Sequence, residues 1–247
     1  MKKLFTLLAL TISFSMNAQV STNSTSPTGI YASAMGNGTT ASAQGSTAMG
    51  KLTTASNTAS TAMGYQTTAS GDSSTAMGKQ TIASDFASLV IGQYNSSGYS
   101  VTNNATSFNT ANTAFVIGNG ADSSNKSDAF KVMFNGDTTI SNDLTVSGDV
   151  VISSDARLKS NIVSLGSTLP KLLQIDGKSY EMKGKQKIGV LAQEIQEVFP
   201  ELVSEDDNEM LAVNYQGLVP VLINALKEQQ TEIDELKEMV HELISRK

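Results

Sequence analysis

Five glycines, Gly36, Gly50, Gly64, Gly78 and Gly92, stand fourteen residues apart each time. Ala41, Ala55, Ala69 and Ala83 keep the same interval, each inside a Thr-x-Ala-Ser phrase. A fixed period of this kind marks a chain that builds stacked coils, and it has to be read before any other feature. On composition alone this Ser/Thr/Ala/Gly-rich stretch would pass for disorder. Its order argues otherwise.

Each unit holds two extended phrases, such as Ser46-Thr47-Ala48-Met49-Gly50 and Thr53-Thr54-Ala55-Ser56. Residues two apart share a strand face, so Thr47 and Met49 point one way and Ser46, Ala48 and Gly50 the other. The corresponding residues of the last regular unit are Leu89 and Ile91, which predicts that the Met face is the buried one. A single coil of such small side chains hardly offsets its own ordering entropy. Stacking helps, and packing of several chains helps more.

Charge divides the chain in two. From Gln19 to Val150 there are four Lys, no Arg, seven Asp and no Glu, whereas from Val151 to Lys247 there are eleven Lys plus Arg and sixteen Asp plus Glu. The boundary between the two materials falls close to residue 150. The formal net charge of -6 argues against a nucleic-acid partner, which needs a basic patch. With no cysteine in the chain, disulfides, thiolate nucleophiles and cysteine metal sites are excluded together. The one histidine, His241, falls beside a helical seam and reads as a surface residue, which argues against a Ser-His-Asp triad. No phosphate loop, metal cluster or catalytic carboxylate pair stands out, so neither cofactor nor metal is expected.

Lys2 and Lys3 followed by the apolar run Leu4–Phe14 and by Ala18 read as a signal peptide over residues 1–18, cut before Gln19. The run is too short to span a bilayer, and no later stretch does so. The expected destination is the cell surface or the extracellular space, with no transmembrane segment in the mature chain.

Beyond the repeat, Phe115-Val116-Ile117-Gly118 echoes its phrase after a gap, and Asn135-Gly136 after Phe130–Phe134 signals a hairpin. Thr139-Ile140, Leu144–Val146 and Val150–Ile152 are expected to supply further short strands, making residues 121–152 a β neck. In the back half, Leu191, Ile195, Val198 and Phe199 share one helical face that Pro200 terminates. Pro220 suits the first turn of a closing helix. There Val219, Leu222, Leu226, Gln229, Ile233, Leu236, Val240 and Leu243 alternate in steps of three and four, the heptad seam of a coiled coil over residues 218–247.

Two resemblances follow from these phrases. Ser-Thr-Ala-Met-Gly and Ser-Leu-Val-Ile-Gly resemble the Ser-x-Ala-x-Gly head repeats of YadA-like trimeric adhesins, over about residues 28–120. The resemblance implies a left-handed parallel β-roll built by three chains, here occupying residues 19–120. Thr and Met stand where that family often has Val and Ile, and the family's membrane-anchor barrel is missing. The ordered phrases Ser-Asp-x-Arg-Leu-Lys-x-Asn-Ile from Ser154, Gly-x-x-Ala-Gln-Glu from Gly189 and Pro-Glu-Leu-Val from Pro200, with the closing heptads, resemble the C-terminal intramolecular chaperone of phage endosialidase tailspikes. This second resemblance covers roughly residues 153–245. It implies an α+β chaperone and self-cleaving peptidase domain over 153–217 that trimerises, nucleates folding of the upstream fibre and cuts itself loose.

The family's Ser-Lys dyad falls on Ser154 and Lys159, with the cut between Ser153 and Ser154. A serine with no usable histidine needs another base, and neutral lysine is the reasonable substitute. Free lysine titrates near about 10.4 and must be desolvated or crowded by a cation to serve. Arg157 is close enough in sequence to supply that crowding, and Asp155 and Arg157 are assigned to positioning. Five residues along an ideal helix would put Ser154 and Lys159 on different faces, so they must meet through a non-helical turn or across chains. The competing reading of the same residues is a helix cap at Ser154 or Asp155 with a solvated Lys159. The whole is thus expected to be a mixed, multi-domain homotrimer, with a host surface, matrix or glycan as a ligand for the head. The rival is a structural adhesin that keeps its back domain as a permanent trimer clamp.

Overall fold

The computed structural model describes residues 23–206 and 209–246; the expected signal peptide lies outside the described residues. The chain divides into two compact units at Val150/Val151.

In the first unit the fourteen-residue period becomes a β-solenoid. Short and long strands alternate: β1 (Ser26–Pro27), β2 (Ser33–Asn37), β3 (Thr40–Ala41), β4 (Thr47–Lys51), β5 (Thr54–Ala55), β6 (Thr61–Tyr65), β7 (Thr68–Ala69), β8 (Thr75–Lys79), β9 (Ile82–Ala83) and β10 (Leu89–Gln93). The short strands stack into one parallel sheet and the long ones into another. Register is the period itself, as Thr47 pairs with Thr61 and Thr61 with Thr75. Each coil turns two corners in the left-handed backbone region, at Leu52 (φ 57°) and Ala59 (φ 53°) and again at Gln66 and Ser73. The glycine row has a separate cause. Gly64 sits at φ +123°, and a Cβ there would lie 2.0 Å from the carbonyl oxygen of Gly78. Only glycine lets one coil approach the next that closely.

The interior corrects the expected facing. Ala48, Ala62 and Ala76 are fully buried, as are Ala41, Ala55 and Ala69 opposite them and Val90 and Val116 further along. The Met face points outward: Met77 is 40% and Leu89 39% exposed. A coil of fourteen residues encloses a space thin enough for alanine, serine and threonine but not for methionine, so side-chain size chose the opposite face from the one hydrophobicity suggested.

Two rows of buried hydroxyls line this interior. Ser46, Ser60 and Ser88 donate to backbone carbonyls three residues back, at 2.7, 2.6 and 2.9 Å. Thr39, Thr53, Thr67 and Thr81 are equally buried, and their Oγ1 atoms have no partner.

After Gly92 the period breaks. Residues 95–112 form a loop, and β11 (Thr113–Asn119) then resumes the parallel sheet with Val116 beside Val90. The fully buried Asp85 holds this loop, accepting from the Thr102 N–H at 2.6 Å, the Thr113 N–H at 2.8 Å and the Thr113 hydroxyl. β12 (Asp128–Met133) and β13 (Thr138–Ile140) add antiparallel to β11 around the Asn135-Gly136 turn, closing the end of the roll. Sheet edges are commonly covered in this way. The expected strands at Leu144–Val146 and Val150–Ile152 do not form within the chain: residues 141–152 enter no strand and are exposed.

The second unit is sparsely packed. Two hairpins, β14 (Lys178–Met182) with β15 (Lys185–Gly189) and β16 (Val203–Glu205) with β17 (Leu211–Val213), accompany three helices: α1 (Leu169–Leu172), α2 (Ala192–Val198) and α3 (Leu218–Ser245). The core gathers Ile195, Val198, Phe199 and Val221. Leu191, expected on the same buried face, is the N-cap of α2 and is 42% exposed. Leu173, Ile188 and Val163 are each more than three-quarters exposed. So small a core leaves little to set against the ordering entropy of nearly a hundred residues.

Candidate functional site

Ser154 and Lys159 meet within one chain. Asp155 opens a single 3-10 turn, Ala156–Leu158, by accepting the Arg157 N–H with its side chain, and Lys159 leaves the turn in extended backbone (φ -119°, ψ 147°). That reversal brings the Lys159 Nζ to 2.8 Å from the Ser154 Oγ. A continued α-helix would have carried it to another face. The capping role foreseen for Asp155 and the dyad contact therefore coexist.

Arg157 is placed differently from the expectation. Its guanidinium grips Asp155 in a fork, with Nε at 3.1 Å from both carboxylate oxygens and Nη2 at 2.6 Å from Oδ2. The Arg157 side chain, with its backbone N–H second, holds the Asp155 carboxyl below the ordinary aspartate range. Arg157 is thus engaged as the partner of Asp155 and braces the turn. Ser153, Ser154 and Lys159 are all exposed in the single chain. Desolvation of the lysine, which general-base chemistry requires, has to come from elsewhere.

Downstream, a second contact ties this segment to the long helix. The Glu228 carboxylate on α3 accepts from the Ser167 hydroxyl at 2.7 Å, the Thr168 N–H at 2.6 Å and the Leu169 N–H at 3.3 Å. Those hydrogen bonds, the Ser167 hydroxyl foremost, hold Glu228 below the usual glutamate range. The carboxylate caps the N-terminus of α1. Buried Thr168 adds a hydroxyl bond to the Val221 carbonyl at 2.9 Å. Nothing local in the sequence announces Glu228, which lies about sixty residues from the groups it binds. Asp85 was missed for the same reason.

α3 presents two faces. Val221 and Ala225, each 3% exposed, pack on the unit's own core. The seam residues Val219, Leu222, Leu226, Ile233, Leu236, Val240 and Leu243 are 40 to 67% exposed. The helix therefore carries an apolar stripe that its own chain leaves open. Among the described residues no helix is long and apolar enough to cross a membrane.

A parallel β-solenoid with a glycine-locked fourteen-residue coil, followed by a chaperone-like unit ending in a long amphipathic helix, is the architecture of an adhesin-like protein with a folding domain. Family comparison agrees in kind and order. Residues 28–53 and 55–81 match two copies of the YadA head domain repeat, and residues 154–204 match the family described as chaperone of endosialidase. The second match begins at Ser154 and includes Lys159. No curated protein matches the chain.

Proposed function

We propose that this is an exported, trimeric, adhesin-like surface fibre whose C-terminal unit aligns three chains and is then released by cleavage before Ser154. The observation that carries the cleavage reading is the 2.8 Å contact between the Lys159 Nζ and the Ser154 Oγ. In its neutral form Lys159 takes the hydroxyl proton, and Oγ attacks the Ser153 carbonyl of its own chain or of a neighbour. The C–N bond to Ser154 breaks, Lys159 returns the proton to the departing amine, and water hydrolyses the ester that remains. Asp155 and Arg157 position the turn. Because Arg157 is engaged with Asp155, burial of Lys159 by neighbouring chains is what favours its neutral form. Cutting then depends on assembly.

The trimer rests on the open seam of α3, on the small core of the second unit and on the head match, since YadA-like heads are typically trimeric. Residues 218–247 form the coiled coil in this reading, with Gln229 as its polar register residue. A nearly self-similar repeat explains the need for such a device. Three chains could pair one coil out of step and lose only end contacts, a register hazard that a C-terminal clamp removes. Release of the clamp leaves a fibre of residues 19–153 that depends on slow unfolding rather than on refolding. The outward Met face, with Leu89 and Ile91, is the apolar surface on which three rolls would pack. The alternative, a permanent clamp, shares every feature except the dyad. A denaturing gel separates the two: wild type gives two fragments, while Ser154→Ala and Lys159→Ala give one uncut band. An uncut wild type leaves the permanent clamp standing.

A further inference from the structure

Two loops that interrupt the coil pattern converge on one corner of the roll. The corner residues Gln66, Gln80 and Tyr94 follow one another at the repeat interval, all in the left-handed backbone region (φ 54°, 51° and 45°). Tyr99 arrives from the loop after β10, and Ser123 and Lys126 from the loop between β11 and β12. Together with Ile82 these residues line a cavity of about 90 Å³. The two loops are stitched in place. The Asp128 carboxylate accepts the Ser96 and Ser97 N–H groups at 2.9 and 2.8 Å, and the Ser127 N–H donates to the Tyr94 carbonyl at 3.1 Å. Asp122, the one carboxylate among residues 120–127, is turned into its own loop, where it accepts the Ser124 and Asn125 N–H groups at 2.8 and 2.9 Å.

The lining combines three kinds of group. The half-buried Lys126 carries its Nζ 3.2 Å from the centroid of the Tyr99 ring, and among the described residues no carboxylate pairs with it. An ammonium held by an aromatic face keeps its charge available for an anion. The Gln66 and Gln80 amides and the Tyr94 and Tyr99 hydroxyls likewise have no hydrogen-bond partner among the described residues. Amides and hydroxyls suit sugar hydroxyls, an aromatic ring suits the C–H face of a pyranose, and an unpaired ammonium suits a carboxylate. We propose that this pocket binds a carboxylated sugar of the hexuronate type. Its carboxylate meets Lys126, its ring lies against Tyr99, which is 40% exposed, and its hydroxyls meet Gln66 and Gln80. A phosphate or sulfate ion would engage the lysine but leave the ring and both amides unused. Ala83 is buried, so Ile82 faces outward from the short-strand sheet, on the side away from the Met face. The pocket therefore stays open when rolls pack through that face. This inference rests on the adhesin-like reading for its purpose, a ligand for the head, and is independent of cleavage.

The test titrates the full Ser154→Ala chain by calorimetry with a tetrasaccharide of glucuronate and with its neutral glucose counterpart. The uronate is expected to bind, to bind less tightly as salt rises, and to exceed the neutral sugar by roughly tenfold in affinity, the share of one charge-assisted hydrogen bond. Lys126→Gln should remove that advantage, and Tyr99→Ala should weaken uronate binding as well. Both substitutions lie in surface loops, and unfolding curves verify that the head stays folded. Lys51→Gln removes a lysine that rests on Tyr65 at 5.7 Å outside the pocket, and should change nothing. Uronate binding that survives Lys126→Gln, or a folded protein that binds neither sugar, overturns this inference. Native mass of the same samples separates it from the reading it builds on. A trimer that ignores uronate overturns the pocket alone, whereas a monomer that binds uronate through Lys126 overturns the trimeric fibre and supports the pocket.

Discussion

The two rows of buried hydroxyls inside the solenoid predict mutational effects of opposite sign. Thr53 and Thr67 bury their Oγ1 with no partner, so each carries the desolvation cost of a hydroxyl without the bond that offsets it. Valine has nearly the same shape, and replacing the hydroxyl with a methyl removes that cost. Leaving a buried group unsatisfied costs about 1–3 kcal/mol. With allowance for local relaxation, Thr53→Val should stabilise by about 1 kcal/mol, or roughly 2–4 °C in Tm for a chain of this size. Ser60 is the contrast. Its hydroxyl donates to the Asn57 carbonyl at 2.6 Å and accepts the Asn57 N–H at 3.2 Å. Ser60→Ala should therefore destabilise by about 1–2 kcal/mol. The assay is thermal or denaturant unfolding of the uncleaved Ser154→Ala chain, with Thr54→Val on the outward face as a near-neutral control. A Thr53→Val protein that melts lower than its parent refutes the reasoning, because it would mean that the hydroxyl is satisfied.

Further predictions follow from single contacts. Gly64→Ala forces a Cβ onto the Gly78 carbonyl at a backbone angle that side chains rarely adopt; a loss of about 3 kcal/mol or more is expected, read as a lower melting temperature and reduced soluble yield. Glu228→Gln weakens the cap on α1 and should lower the stability of the C-terminal unit at neutral pH. Because Glu228 titrates below its unfolded value, its contribution is fully present above the unfolded pKa of about 4.3 and fades as pH falls through the lower folded value. The wild-type advantage over Glu228→Gln should accordingly vanish in acid, as measured by unfolding at a series of pH values. Lys159→Arg keeps the charge but supplies no neutral base, so it should leave the chain uncut, read as a single band on denaturing gels.

Some features of this molecule are local and therefore legible in its sequence. The spacing of Gly36 to Gly92 fixes both the coil length and the strand register, because each glycine marks a close approach to the coil above it. Ser154 and Lys159 are separated by one turn, so the question of whether they meet was small enough to pose from spacing, and the extended backbone of Lys159 answers it. The facing of the long strands was misjudged because a rule about hydrophobicity was applied where thickness decides: Ala62 fits inside and Met63 does not. Other features depend on distant residues. Glu228 reaches Ser167, Asp85 reaches Thr113, and neither pairing leaves a periodic trace. The short strands expected at Leu144–Val146 and Val150–Ile152 are not formed within the chain.

The account turns on three chains being aligned by a tail that then severs itself. Native mass spectrometry of the purified wild-type protein, followed by denaturation of the same sample, tests this most directly. The predicted native species contains three copies of the fibre fragment ending at Ser153, and denaturation should yield a separate fragment beginning at Ser154. A single full-length chain in both spectra would contradict it.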